Sequence, residues 1–169
     1  MPRTVLQSLV SSLVLSWLDY GNATLAGIPG HLVQRLQSVM NAAARMIFST
    51  SRYDHITPFL RQLHWLKARK QIYYKLTVLV YKCQHGTGPA YLADELSHSS
   101  DFANRRKLRS SSSLNLIVRQ TRHSTYGDRA FPVAGPRVWN SLPRHVTSAS
   151  SVNILISRLK TFFFSRSYP

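Results

Sequence analysis

The chain has 169 residues, 44% of them hydrophobic, and its 22 lysines and arginines against 6 aspartates and glutamates give a formal net charge of +16. This length suits one domain or two small ones, and the hydrophobic content excludes global disorder. Cys83 is the sole cysteine, which excludes an intramolecular disulfide and leaves only one ligand for a cysteine-based structural zinc site. The excess positive charge predicts a polyanionic partner, nucleic acid first, with an anionic membrane surface or an acidic protein second.

The first segment has apolar side chains three and four residues apart, which predicts an amphipathic helix. These side chains are Val5, Leu6, Leu9, Val10, Leu13, Val14, Trp17 and Leu18. The same run could be a signal peptide, but no small-x-small cleavage site follows it. We therefore favour a core helix and a nuclear or cytoplasmic protein that is not secreted. No apolar run approaches the roughly 20 residues that span a bilayer, so we expect no membrane association.

Further helices are predicted before residue 96. A structured loop over 19–29 leads to a helix over 31–48, and Thr57 followed by Pro58 fits the N-cap and first position of a short helix that ends at Leu63. The next helix, over 66–85, is apolar on two faces, which is typical of the central helix of a bundle. Its polar edge carries Lys67, Lys70, Lys75 and Lys82.

The composition changes after residue 96. Residues 97–115 are rich in serine and arginine, which predicts a linker between a helical bundle over 1–96 and a small unit over 116–169. In that unit, 116–119 is β-like, 125–143 is an irregular segment without a long helix, and 151–164 has a helical stripe. The predicted fold is mainly α: an N-terminal helical bundle plus a small irregular α/β unit closed by a helix.

The sequence offers little that indicates catalysis. Its six carboxylates do not recur at a spacing that would bring them together on metal ions, and it has no glycine-rich phosphate loop. Asp54 with His55 and His64, or His123 with Asp128, could form an acid/base pair for metal-free RNA cleavage, but a structural role is the stronger interpretation. We therefore expect no catalytic residues, no metal site and no cofactor.

The basic residues indicate nucleic-acid binding more strongly, because few acidic residues are present to neutralise them. A compact cluster, RRKLR, falls in the linker, where the alternative is a solvated segment without a partner. The candidate nucleic-acid-binding residues are Lys67, Lys70, Lys75, Lys82, Arg105, Arg106, Lys107, Arg109, Arg119 and Arg122.

An ordered set of short motifs covers nearly the whole chain. It runs LDYGN, MNAAAR, DHITPFL, LHWL, YKCQHG, GPAYL, LRSS and GDRAF…WNSLP. In this order the set closely resembles the C-terminal region, thumb and post-thumb, of reverse transcriptases of non-LTR retrotransposons (LINEs) in the jockey-like and chicken-repeat groups. Gly21, Thr24 and the pair Arg119-Gln120 depart from residues common in the family, which is consistent with drift.

The resemblance implies a role beside a polymerase, where such a region holds RNA and DNA through backbone contacts. The polymerase palm would lie upstream as a partner domain, and its paired catalytic aspartates have no counterpart, since no Asp-Asp occurs in this chain. The chain would therefore be a non-catalytic fragment of an RNA-directed DNA polymerase. The last motif supplies a structural fingerprint: Gly127, Asp128, Arg129, Phe131, Trp139, Asn140 and Pro143.

Two alternatives stay open at this point. The chain could be a decayed or domesticated helical module that binds a protein and has no nucleic-acid function. More remotely, it could be a metal-free nuclease.

Overall fold

The computed structural model describes residues 2–98, 115–123 and 125–169. The helices of these ranges are α1 Arg3–Val10, α2 Ser16–Asp19, α3 Gly30–Phe48, α4 Thr57–Gln62, α5 Ala68–Gln84, α6 Ala90–Ala93, α7 Phe131–Asn140, α8 Arg144–Thr147 and α9 Val152–Ser167. A π-helical turn, Ser11–Leu15, joins α1 to α2, so we call residues 3–19 the N-terminal helix. The predicted mainly-α fold is confirmed.

The α/β character predicted for the C-terminal unit is wrong. In the described ranges the only β pairing of residues 116–119 is a single antiparallel bridge between Leu116 and His98, and no strand forms. Asn140 takes the place of a partner strand, because its side chain accepts from the Leu116 N–H at 3.0 Å and donates to the Leu116 carbonyl at 2.8 Å. A side chain therefore satisfies the backbone groups that a strand would have paired.

The segment over 125–143 also differs from its prediction. It contains the ten-residue helix α7, although Pro136 lies inside it and cannot donate a helical hydrogen bond. Burial offsets that loss, since Val133 and Trp139 are 2% and 5% exposed. Gly135 allows the close approach to α5: a β-carbon there would lie 3.0 Å from Val80 Cγ2. Tertiary packing thus stabilises a helix that local propensity disfavours.

The prediction that the helix over 66–85 is the central helix of the bundle is confirmed. Helix α5 packs against α3, α7, α9 and the 3-10 turn Asn22–Leu25, and it has buried residues on more than one face. These buried residues are Ala68, Ile72, Leu76, Thr77, Val80, Tyr81 and Cys83. Burial also raises the pKa of the Cys83 thiol, as expected for a small packing residue rather than a nucleophile.

The two ranges that the sequence separates into units share one hydrophobic cluster. Val80 and Tyr81 of α5 pack with Trp139 of α7 and with Leu155 and Leu159 of α9. The Tyr81 hydroxyl also donates to the Ala149 carbonyl at 3.0 Å. Residues 116–169 are therefore packed against the N-terminal bundle; the division into domains itself stays a prediction.

The short helix α4 begins one position earlier than the cap signal indicated. Ile56 is at its N-cap, without a side-chain hydrogen bond, and Thr57 is the first helical residue. Pro58 lies in the first turn, where its missing N–H has no helical acceptor to lose. The prediction of a short helix here is correct to within the usual uncertainty of helix ends.

The C-terminal helix, α9, is longer than the apolar stripe over 151–164 predicted. It continues to Ser167, and Tyr168 behind it is 5% exposed in the cluster formed by the N-terminal helix, α3 and α4. The Tyr168 hydroxyl donates to the Trp65 carbonyl at 2.6 Å. This bond fixes the last turn of α9 beside the beginning of α5.

The N-terminal helix is buried on one side only. Val10 is its buried residue, with Leu6, Val14, Leu15 and Leu18 partly buried against α3. A second row, which we call the apolar row, faces solvent: Val5 (44% exposed), Leu9 (42%), Leu13 (61%), Trp17 (80%) and Tyr20 (90%). The helix prediction is therefore confirmed, whereas much of its stripe is not part of the core.

Candidate nucleic-acid interface

Four of the sequence candidates, Arg105, Arg106, Lys107 and Arg109, lie outside the described residues. The structure therefore bears on Lys67, Lys70, Lys75, Lys82, Arg119 and Arg122. These six do not form one surface. A helix turns about 100° per residue, so Lys70 and Lys75, five residues apart, point in directions that differ by roughly 140°.

Lys67 and Lys70 lie at the beginning of α5, beside two arginines that the sequence did not single out. Arg69 is on the first turn of α5, and Arg166 is on the last turn of α9. We call Lys67, Arg69, Lys70 and Arg166 the basic cluster. Partial burial lowers the pKa of Lys70, and the neighbouring charges of Arg166, Arg69 and Lys67 lower it further. Mutual repulsion of this kind is relieved when an anion binds.

Hydrogen bonds from other helices fix the position of this cluster. The Ala68 N–H lies in the first turn of α5, where it has no acceptor within the helix. It donates instead to Gln37 Oε1 of α3 at 2.8 Å. The hydrogen bond from Tyr168 to Trp65 brings the end of α9 to the same place. Arg69, Lys70 and Arg166 therefore project from helices, and Lys67 projects from the N-cap of α5 beside the hydrogen-bonded Ala68.

Three of these cations lie over aromatic rings of α9 or of Tyr168 directly behind it. Lys67 Nζ is 5.7 Å from the ring centroid of Tyr168, Lys70 Nζ is 5.7 Å from that of Phe163, and Arg166 Cζ is 4.9 Å from that of Phe162. A cation–π contact orients a side chain and leaves its charge unneutralised. The ion pairs of the described residues do not include any member of the basic cluster.

Two other sequence candidates have acidic partners. Lys75 Nζ lies 2.5 Å from Asp19 Oδ2, and Arg119 Nη1 lies 2.7 Å from Glu95 Oε2. Their charges are therefore largely compensated within the chain. Lys82 and Arg122 are exposed, but they lie away from the basic cluster along the sequence.

The fingerprint residues have packing and hydrogen-bonding roles. A β-carbon on Gly127 would lie 2.6 Å from Thr121 Cβ, so only glycine fits there. Asp128 accepts from Thr121 at 2.8 Å and pairs with Arg137 at 3.3 Å, and these contacts hold the pKa of its carboxyl below the usual value. Arg129 packs against Gly27 in the loop that follows the N-terminal helix.

The remaining fingerprint residues organise the helices around α7. Phe131 begins α7 and packs partly buried into two hydrophobic clusters. Trp139 is buried, with its ring 6.3 Å from that of Tyr81. Asn140 holds Leu116, and Pro143 precedes α8 and accepts from the Val146 N–H. The sequence motif is thus a packing motif in the structure.

The histidine pairs considered for catalysis have other neighbours. Asp54 Oδ2 accepts from the Ser51 N–H at 2.8 Å, and Asp128 pairs with Thr121 and Arg137 rather than with His123. His64 has a left-handed backbone with φ of 55°, and its ring lies 5.5 Å from that of Phe164. In the described part of the chain, no group of three or more His, Cys, Asp or Glu side chains could hold a metal ion.

The sequence did contain a signal for the two missed arginines. Arg69 directly precedes Lys70, so the basic run at the beginning of α5 is one residue denser than the candidate set. Arg166 was missed because the helix was expected to end at Phe164. Continuing the helix by one turn places Arg166 beyond Phe162 and Phe163 on the same element.

Comparison of the chain with protein-family models, curated proteins and solved structures found no match. Among the described helices, none combines the length and the hydropathy needed to cross a membrane.

Proposed function

We propose that this chain is a non-catalytic nucleic-acid-binding fragment from the tail of a non-LTR retrotransposon reverse transcriptase. The observation that carries the binding function is the basic cluster, four cations without an acidic partner among the described ion pairs. The formal net charge of +16 adds long-range attraction for a polyanion. The order of the sequence motifs supports the relationship to reverse transcriptases.

The binding mode follows from the chemistry of the cluster. Lysine and arginine side chains contact phosphate oxygens and release condensed counterions, which contributes affinity with little sequence readout. The N-terminus of α5, the positive end of the helix dipole, lies among these cations and favours the same anion. RNA and DNA are therefore both possible ligands of the basic cluster. In a longer protein the upstream palm domain would be the polymerase and the natural neighbour of this region, in the nucleus or cytoplasm.

The test compares two triple variants of equal charge. The cluster variant carries Lys67→Gln, Lys70→Gln and Arg166→Gln; the control carries Arg35→Gln, Arg144→Gln and Lys160→Gln, three exposed cations without a described ion pair. Fluorescence anisotropy of a labelled single strand is measured across salt concentrations. The cluster variant should lose affinity by about tenfold or more, and its slope of log affinity against log salt should fall by about 0.7 per lost phosphate contact.

Equal losses in the two variants would mean that binding is a property of total charge and not of the cluster. A wild-type protein whose affinity hardly changes with salt would contradict nucleic-acid binding altogether. Melting temperatures of all three proteins show that the comparison is made between folded states.

A second candidate function is the helical protein-interaction module, and the apolar row favours it. Contiguous apolar side chains that are 42% to 90% exposed are typical of a protein contact. This function would replace the first if the protein has no affinity for RNA or DNA and associates through the row.

A further inference from the structure

A groove with a mixed polar and apolar lining separates the N-terminal helix from α5. Ser11, Leu15, Ser16 and Asp19 line it from one side, and Gln71, Tyr74 and Lys75 line it from the other. Its volume of about 380 Å³ lies in the range of small-molecule sites. The wall on the N-terminal side includes the π-helical turn, a distortion that is frequent at functional sites.

Several polar groups in the groove lack a protein partner. Among the described hydrogen bonds, none involves the side chains of Ser11 or Gln71 or the hydroxyl of Tyr74. Burial, and then the charge of Asp19, raises the pKa of Tyr74, so this hydroxyl is a donor at neutral pH. The groove therefore presents donors and acceptors that are available to a polar, uncharged group.

Charge decides which part of a nucleotide suits the groove. Asp19 and Lys75 form an ion pair there, so the groove has no excess positive charge and its carboxylate disfavours a phosphate. Lys67, at the N-cap of α5, is the member of the basic cluster that leads to the groove, because it precedes Gln71 by four residues, as Gln71 precedes Lys75. The axial distance from Lys67 to Gln71 is about 6 Å, within the length of one nucleotide.

We propose that the groove is a ribonucleotide subsite, which takes the ribose and base edge of one nucleotide of single-stranded RNA whose phosphate is bound by the basic cluster. The inference rests on the proposed nucleic-acid-binding function and adds a preference to it. The ribose 2′-hydroxyl can donate to the Asp19 carboxylate and accept from Tyr74 or Gln71, and DNA lacks this group. Hydrogen bonds of this kind discriminate because the polar groups of the site are left unpaired without the hydroxyl.

The experiment measures the ratio of RNA affinity to DNA affinity. The probes are fluorescein-labelled single-stranded RNA and DNA of the same sequence, about 20 nucleotides long, a length that exceeds common single-strand site sizes. The groove variant carries Gln71→Ala and Tyr74→Phe. The control carries the same two substitutions elsewhere, Gln84→Ala and Tyr91→Phe, at the end of α5 and on α6.

The wild type and the control should bind RNA more tightly than DNA. In the groove variant the ratio should fall by about fivefold, the effect of losing one neutral hydrogen bond, with DNA affinity and the salt slope unchanged. Ser11→Ala reaches the groove from its other wall and should lower the ratio in the same direction, which keeps the test valid if the double variant fails to fold.

The failures of the two proposals can be distinguished. Equal wild-type affinities for RNA and DNA, or a ratio that survives in the groove variant and in Ser11→Ala, would overturn the groove assignment while the cluster variant still weakens binding to both strands. No binding of the wild type to either probe would overturn the nucleic-acid function and the groove assignment together.

Discussion

The two terminal helices have similar sequence patterns and different environments. Both carry apolar side chains three and four residues apart, which predicts one buried face for each. In α9, Leu155 and Leu159 are 0% exposed and Phe163 is 3% exposed. In the N-terminal helix, Leu13 is 61% exposed on the apolar row.

The number of packing partners explains the difference. Helix α9 packs against α5 and α8, and Leu155, Leu159 and Phe163 join one cluster with Trp139 of α7. The N-terminal helix packs against α3 through its buried and partly buried side chains and leaves the apolar row uncovered. A hydrophobic period therefore predicts which face of a helix is apolar, and the number of neighbouring elements determines how much of that face is buried.

The largest difference in stability should come from the same leucine-to-alanine substitution made separately in each terminal helix. Leu159→Ala removes a fully buried side chain and should reduce the free energy of unfolding by about 2 to 5 kcal/mol. Leu13→Ala removes the same atoms from solvent-exposed surface and should change it by less than about 0.5 kcal/mol. Urea denaturation followed by circular dichroism measures both. Similar losses in the two variants would mean that the N-terminal row is buried in solution.

A smaller effect is expected at the end of α9. Tyr168→Phe removes the hydroxyl that donates to the Trp65 carbonyl and keeps the ring in place. The loss should be about 1 to 2 kcal/mol, because the buried carbonyl is left without its donor. Thermal melting at neutral pH measures it, and no loss would show that solvent replaces the donor.

The pH dependence of the same residue gives a second measurement. Burial raises the pKa of Tyr168 from 10.0 to about 12. Between these values the unfolded chain loses the hydroxyl proton and the folded chain keeps it, so stability falls as pH rises through this window. Each unit of difference in pKa corresponds to about 1.4 kcal/mol. Tyr168→Phe should lose less stability than the wild type between pH 10 and 12; parallel losses would contradict this assignment.

The helix caps provide the next comparison. Ser151 caps α9, since its side chain accepts from the Ile154 N–H at 3.3 Å, whereas Pro2 before the N-terminal helix makes no side-chain cap. Ser151→Ala should cost about 1 kcal/mol. Ser8→Ala, within the exposed side of α1, serves as the matched control and should be neutral or slightly stabilising, because alanine is the better helix former. The difference in melting temperature between the two variants tests the cap.

Periodicity was sufficient to predict the long helices and the central place of α5, and it failed where burial overrides local preference. Helix α7 forms around Pro136 because Ala134 and Trp139 are buried in clusters that they share with residues of α5, and a local pattern does not contain that information. Residues 116–119 have β-like composition, but an asparagine side chain, 24 residues away in sequence, pairs with their backbone.

The sequence predicted the candidate site incompletely, and the reason is again that tertiary contacts cannot be read from a local pattern. The cations at the beginning of α5 were identified from composition, but charge counting could not separate Lys70, which lies in the basic cluster, from Lys75, which pairs with Asp19. The pair joins residues 56 positions apart, since the contact depends on how the N-terminal helix packs against α5. Arg166 lies in the basic cluster because α9 continues to Ser167.

The smallest effect on stability should come from the apolar row itself, and it should be accompanied by a change in association. Leu13→Gln with Trp17→Gln should leave the unfolding free energy within about 0.5 kcal/mol of the wild type when both are measured at a protein concentration too low for copies to associate. The row is suited to a second copy of the chain, because Arg3 and Asp19 are the only charged residues of the N-terminal helix. Sedimentation equilibrium should show a concentration-dependent mass for the wild type and a monomer for the variant.

Salt separates this association from nucleic-acid binding. The formal charge of +16 on each copy opposes self-association, and added salt screens that repulsion, so association through the row should strengthen as salt rises. Binding of RNA or DNA at the basic cluster should weaken over the same range, because fewer counterions are released. A wild-type protein that stays monomeric at high salt would show that the apolar row does not mediate contact between copies of this chain.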